Sequence, residues 1–259
     1  MVEGVRVQDL PAPTRRALVR GALAVAFGGA ALGATAGPAL ADSSAKGDPG
    51  SLRISDLPGI GDLPGVGDLT RLDLLELLEV DYPSAEWIPA HAGNYTVAAR
   101  PIEALPRYVI IHDIEGPYRA AVDRFQTRGS EVSAHYVIRS HDGHIAQMVR
   151  QKDIAWHAGN WSYNVQAVGI EHEGYVSTGK YYTETMYEAS ARLTAYVCLL
   201  YAIPMTRDHI IGHKEVPYAT HTDPGPHWRW NHYMDLVHGF GTDAVALIPK
   251  QVRDLLPYV

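Results

Sequence analysis

Tyr108-Val109-Ile110-Ile111-His112 is the stretch on which the fold turns. A short apolar run without alternation is what a strand buried on both faces requires, and it sets the pattern of a mixed α/β domain beginning near Tyr82. Pro117 to Thr127 follows as a helix, with Ala121, Val122 and Phe125 on one side and Gly129 as a C-terminal stop. His135 to Ser140 and His144 to Val149 read as two alternating strands around Asp142-Gly143, a pair that tolerates positive φ and so signals a hairpin. Ala167 to Glu173 reads as a further strand, placing Val168 and Ile170 on one face and Glu171 with Glu173 on the other. A helix capped by Thr183 or Thr185 runs to Ala202 on the spacing of Met186, Ala189, Leu193, Val197 and Leu200, and Pro204 ends it. The last helix is expected over Trp228 to Val237.

The residues before Tyr82 have a different character. Arg15, Arg16 and Arg20 precede a Gly/Ala/Leu/Val/Phe stretch, and Ala39-Leu40-Ala41 offers a small-x-small cleavage site, so 1–41 reads as an export signal peptide. Thr14-Arg15-Arg16-Ala17-Leu18 resembles a twin-arginine signal, which leaves the route open. The stretch is too rich in Gly and Ala for a strong membrane anchor, and no stable membrane insertion is expected after cleavage. Residues 42–80 carry a short repeat, Asp56-Leu57-Pro58-Gly59-Ile60-Gly61 then Asp62-Leu63-Pro64-Gly65-Val66-Gly67, and read as a Pro/Gly-rich linker, with Leu69 to Val80 as a short helix. The expected organisation is 1–41 signal, 42–80 linker, 81–240 main α/β domain and 241–259 C-terminal extension, in a secreted or cell wall-associated chain expected to be a monomer.

The chain has 259 residues, 46% of them hydrophobic, enough to bury a sizeable core. Losing 1–41 removes four basic and two acidic residues and moves the formal charge from -7 to -9. Nucleic acid is a poor partner for such a surface, because phosphate binding needs clustered Lys and Arg. Cys198, the only cysteine, lies in the apolar run Tyr196 to Tyr201 and cannot form an internal disulfide.

Three residues stand where a metal ligand would be useful: His112 at the end of the first core strand, His213 in Gly212-His213-Lys214-Glu215, and Asp223 in Thr222-Asp223-Pro224-Gly225. Two imidazole nitrogens and one carboxylate oxygen make a typical catalytic zinc shell that keeps a fourth position for water. Each residue also has a plainer role, since a strand-end His is often structural and an Asp before Pro often forms a turn. The loop from His213 to Asp223 contains Pro217 and ends in Asp-Pro-Gly-Pro, stiff enough to fix a carboxylate.

In chain order, Ile110-Ile111-His112, Ser133-Ala134-His135-Tyr136, Ala155-Trp156-His157-Ala158-Gly159, Gly169-Ile170-Glu171, Gly212-His213 and Thr222-Asp223-Pro224-Gly225 resemble the zinc-dependent N-acetylmuramoyl-L-alanine amidases of the type-2 class, relatives of peptidoglycan recognition proteins. The resemblance, from about Tyr82 to Gly239, implies a single mixed central β-sheet flanked by helices. It implies cleavage of the N-acetylmuramic acid to L-alanine amide of peptidoglycan or muropeptides by zinc-activated water. Zn2+ would sit on His112, His213 and Asp223, with Glu171 as acid/base and His221 facing the reacting carbonyl. His135, Trp156, His157 and Trp161 are expected along the groove. Glu173, on the same strand face as Glu171, competes with it for the acid/base role.

A non-catalytic recognition protein is the main alternative, although such members lack a complete ligand set. No His-Glu-x-x-His string or Gly-x-Ser-x-Gly elbow supports another peptidase or hydrolase. Part of the family carries Lys where His221 stands. Imidazole ordinarily titrates near pH 6.5, at about four units below a lysine ammonium. A His221→Lys variant is therefore expected to keep its activity to higher pH than the unaltered protein; coincident alkaline limbs in the two pH-rate profiles would refute a charged role for His221.

Overall fold

A computed structural model describes residues 81–98 and 105–248. The expectations for 1–41, for 42–80 with its short helix, and for the end of the C-terminal extension fall outside those residues.

The run at 108 to 112 forms β3 (Tyr108–Asp113), with every residue after Tyr108 buried. It lies inside a six-stranded sheet whose other members are β1 (Glu86–Trp87), β4 (Tyr136–Ile138), β5 (Ile145–Gln147), β7 (Ala167–His172) and β8 (Ile210–Gly212). Their spatial order is β1-β5-β4-β7-β3-β8. Among the described residues only β4 and β5 pair antiparallel within this sheet; the remaining pairs are parallel. A mixed central sheet is thus present, accompanied by a small antiparallel pair, β2 (Tyr95–Thr96) with β6 (Ile154–Ala155).

Helices cover both faces. On one side α1 (Tyr118–Gln126) packs Tyr118, Ala121, Val122 and Phe125 against Val137, Ala146 and Met148. Further along that side α2 (Trp161–Gln166) brings Tyr163 to a cluster of Ile110, Ala158, Ala167, Ile211 and Val216. The opposite face meets α3 (Glu184–Tyr201), where His172 Nε2 lies 2.7 Å from Ser190 Oγ. Two more helices, α4 (Trp230–Gly239) and α5 (Gly241–Leu247), pack on the far side of α3. This sandwiching buries Ser190, Ala191, Thr194, Ala195, Tyr196 and Cys198 as well as the expected stripe, so α3 is covered nearly all round, and Ala189 of that stripe is only partly buried. Burial pushes the Cys198 thiol above its ordinary range, consistent with an inert core residue.

Local sequence explains most boundaries. Thr183 caps α3 by accepting from Met186 N, and Ala202 closes it in the left-handed region before Pro204. The hairpin forms as the Asp142-Gly143 signal requires, with Gly143 at φ +68. A Cβ at Gly143 would lie 2.9 Å from both Ala189 Cβ and Thr185 O, so the tip also needs glycine to approach α3. Two expectations change. The alternation expected of the hairpin strands does not translate into alternating burial: all six residues of β4 and β5 are buried, because β4 is an interior strand and β5 is covered by β1 and α1. The last long helix starts at Trp230, two residues late, since Trp228 is drawn into the core beside Tyr187 and Tyr233.

At the start of the described chain, Asp81 is buried with its Oδ2 accepting from Gln147 Nε2 and, at 2.6 Å, from Gln151 N. Burial drives its pKa up against those hydrogen bonds. A carboxyl raised on folding contributes stability below its unfolded pKa, near 3.9, and loses it as pH climbs through the folded value. Asp81→Asn, uncharged throughout, should therefore gain stability relative to the unaltered protein as pH rises above about 4 in urea unfolding. In the same assay Ile110→Ala, which empties a fully buried site on the central strand, should cost about 2–5 kcal/mol.

Candidate active site

Three parallel neighbours set the site. In register, His112 of β3 pairs with Glu171 of β7, and Ile111 pairs with Gly212 of β8, so His213 emerges beside His112 at the carboxyl ends of the strands. Open α/β sheets bind ligands at that edge. The loop after His213 returns Asp223 to the same place, held by a hydrogen bond from Lys214 N to Asp223 O at 3.0 Å.

The three expected ligands converge. Asp223 Oδ2 lies 3.2 Å from His112 Nδ1, and Asp223 Oδ1 lies 3.1 Å from His213 Nδ1. All three residues are buried, and one donor atom from each falls within 4.8 Å of the others. Burial lowers the His112 pKa against the pull of Asp223, which favours the neutral, ligating imidazole. Burial opposes ionisation of Asp223 too, but hydrogen bonds from His112 and His213 hold its carboxyl below the ordinary range. Among the described residues the ion pairs of Asp223 are with histidines alone. A buried carboxylate facing two imidazole nitrogens, with no Lys or Arg to neutralise it, is a donor set that fits a divalent cation.

Glu171 stands next to this group. Its Oε2 is buried without a hydrogen-bond partner among the described residues, and burial, followed by the charges of Asp223 and Asp113, raises its pKa well above the ordinary value. Glu173 is engaged elsewhere: Oε1 accepts from Tyr118 N at 3.1 Å and Oε2 from Ser140 N at 2.8 Å, tying the start of α1 to the hairpin. Those contacts occupy both Glu173 oxygens, whereas Glu171 lines the cleft.

A cleft of about 1160 Å³ runs from the His-His-Asp group past Pro117, Arg124 and Phe125, and Trp156, His157, Trp161, Glu171 and His221 also line it. His221 sits at the mouth, its side chain 67% exposed and its ring stacked on His213 at 4.7 Å. Trp161 is exposed, whereas Trp156 is half-buried with Nε1 bonded to Thr96 Oγ1 at 3.0 Å. His157 is buried at the cleft wall, with Nδ1 3.0 Å from His112 Nε2. His135, expected along the groove, is fully buried away from it: Nδ1 accepts from Gly169 N at 3.0 Å, and Nε2 meets Asp153 O at 3.2 Å. It braces β7 because β4 is an interior strand.

Sequence reading missed Asp113 and Tyr182. Tyr182 Oη lies 2.7 Å from Asp113 Oδ2 and 2.8 Å from Pro224 O, while Asp113 N donates to Asp223 Oδ2 at 3.3 Å. Tyr182 Oη is the donor in both contacts, and burial pushes the Asp113 carboxyl up to about 6 despite the phenol's hydrogen bond. Neither residue sits in a motif, and 1 of 15 tyrosines carries no local mark of this role.

The N-acetylmuramoyl-L-alanine amidase profile matches residues 101–226, and N-acetylmuramoyl-L-alanine amidase A of Achromobacter lyticus is 35% identical over 179 residues, covering 62% of this chain and 98% of that protein. The chain belongs to the N-acetylmuramoyl-L-alanine amidase family. Another relative, the 1,6-anhydro-N-acetylmuramyl-L-alanine amidase AmpD of Haemophilus influenzae, is 35% identical over 47% of this chain and 64% of its own length. The crystal structure of a selenomethionine AmpD derivative aligns with a TM-score of 0.49 at 27% identity, over 62% of this chain and 99% of that one.

For this amidase family member the carboxylate between the imidazoles is the testable core of the site. Asp223→Asn keeps the shape but removes the charge. It should weaken divalent metal binding by more than the roughly 100-fold that altering a ligand's own partner costs, as measured by competition with a chelating indicator; unchanged affinity would place the metal elsewhere.

Proposed function

We propose that the protein is a zinc-dependent amidase that hydrolyses the bond between N-acetylmuramic acid and L-alanine in peptidoglycan or its muropeptides, and that it acts after export. The observation that carries the reading is the convergence of His112, His213 and Asp223 beside the partnerless buried oxygen of Glu171, within a cleft large enough for a glycopeptide. The activity named for both curated relatives supports the substrate. The basic and then Gly/Ala-rich composition of 1–41 supports export.

An amide resists hydrolysis because its carbonyl is weakly electrophilic and its amine leaves poorly. His112, His213 and Asp223 would hold Zn2+, whose Lewis acidity polarises a carbonyl and lowers the pKa of water to about 7. Glu171 takes the proton from the attacking water and delivers it to the departing nitrogen, so the same carboxyl serves as base and then as acid. Its raised pKa suits the second step, and the first needs the ionised form. Activity should therefore rise with pH through the Glu171 titration. His221, at the mouth and in reach of solvent, donates to the carbonyl oxygen as negative charge develops. Trp156 and Trp161 offer flat apolar surface to sugar or peptide.

The recognition-protein alternative is disfavoured by the complete ligand set. Mass spectrometry of digested cell wall decides between them: free stem peptides with new L-alanine amino ends, abolished by chelator, are expected. Binding without new ends would overturn the catalytic reading, and new amino groups only at cross-links would indicate a peptidase. Glu171→Ala should retain zinc and lose about 10²–10⁴ in turnover. Glu173→Ala should lower stability by about 1–3 kcal/mol through the two backbone donors it orphans, with turnover near normal.

A further inference from the structure

We infer that His157 is a positioning residue for the metal site: it accepts a hydrogen bond from His112 Nε2 and so fixes which nitrogen, and which ring orientation, His112 presents to the ion. His157 lines the cleft, where contact with substrate is the obvious assignment. The geometry points elsewhere. His112 turns Nδ1 toward Asp223 and the ligand cluster, and a ligating nitrogen must offer a bare lone pair. With an ion on Nδ1 in place of the hydrogen bond to Asp223, the proton of a neutral His112 resides on Nε2. That atom lies 3.0 Å from His157 Nδ1 with the ring centroids 5.0 Å apart, an edge-on approach that suits an N–H of one ring meeting the in-plane lone pair of the other. His157 must accept at Nδ1, an unusual task for an imidazole where a carboxylate or a carbonyl more often serves.

The fold builds a seat for this ring. The Asn164 side-chain oxygen accepts from His157 N at 3.1 Å and from Ala158 N at 2.7 Å, anchoring the backbone on α2. Gly169 of β7 lies directly against the imidazole, since a Cβ there would come within 2.6 Å of His157 Cγ and Nδ1. Gly169 is held in turn by His135, which bonds both its N–H and its carbonyl. His135, Gly169, His157 and His112 thus form one continuous line from the sheet interior to the ligand cluster. This accounts for His135 and for the glycine two residues before Glu171, neither of which reaches the cleft as a reactant.

The inference rests on the reading of the triad as a zinc site, and zinc affinity of the full-length protein tests it without reference to turnover. Asn at 157 places an amide oxygen where Nδ1 stands, whereas Leu fills similar space with no acceptor. His157→Leu is expected to weaken zinc binding 10–100-fold, and His157→Asn to restore most of that loss, by competition with a chelating indicator. Equal affinity of the Leu variant and the unaltered protein, or equal losses for Leu and Asn, would overturn the role and leave His157 as packing. An unaltered protein that bound no zinc would overturn this role together with the zinc reading. A second measurement needs no variant: long-range ¹H–¹⁵N NMR of the zinc-loaded protein should find His112 protonated at Nε2 and bare at Nδ1, and the reverse tautomer would equally refute the inference.

Discussion

A carboxylate buried between two imidazoles is costly unless something compensates its charge, and Asp223 sets that requirement for the rest of the domain. No Arg or Lys pairs with it among the described residues, so the demand falls on the two rings and on the cation they are suited to hold. Much of the surrounding structure acts to keep these groups in place. Tyr182 spans Asp113 and the Pro224 carbonyl, pinning the returning loop to the end of β3. Lys214 N holds the Asp223 carbonyl from the other side.

The sheet supplies what the loop cannot. Because β7, β3 and β8 are parallel and in register, Glu171, His112 and His213 leave the sheet at one edge even though they come from distant parts of the chain. Each strand end is then stiffened by contacts of its own: Glu173 joins α1 to the hairpin, and His135 braces Gly169. Stiffness matters here because both metal affinity and proton transfer fall away steeply with small displacements of the groups involved.

The line of contacts from His135 to His112 also bears on how histidines divide their work in this protein. Of 13, His112 and His213 face the ligand cluster, His221 faces solvent at the mouth, and His135, His157 and His172 are buried in hydrogen bonds that brace strands or other rings. Imidazole suits all three duties because it is small, flat and able to donate from one nitrogen while accepting at the other. Residue type alone therefore says little about which duty a given histidine has.

Local pattern was enough for the elements. The apolar run of β3, the Asp142-Gly143 tip and the Thr183 to Pro204 helix are written in neighbouring residues, since backbone preferences and burial periodicity act over a few positions. Ordered motifs were enough to nominate His112, His213, Asp223 and Glu171. What only the tertiary structure decided was the meaning of residues whose partners lie far along the chain. It turned Glu173 into a clamp, withdrew His135 from the groove, buried both hairpin strands and brought Asp113 and Tyr182 into the site. Burial and hydrogen bonding depend on strand order and on which helix covers which face, and those are settled by packing across the whole domain, beyond the reach of any local window.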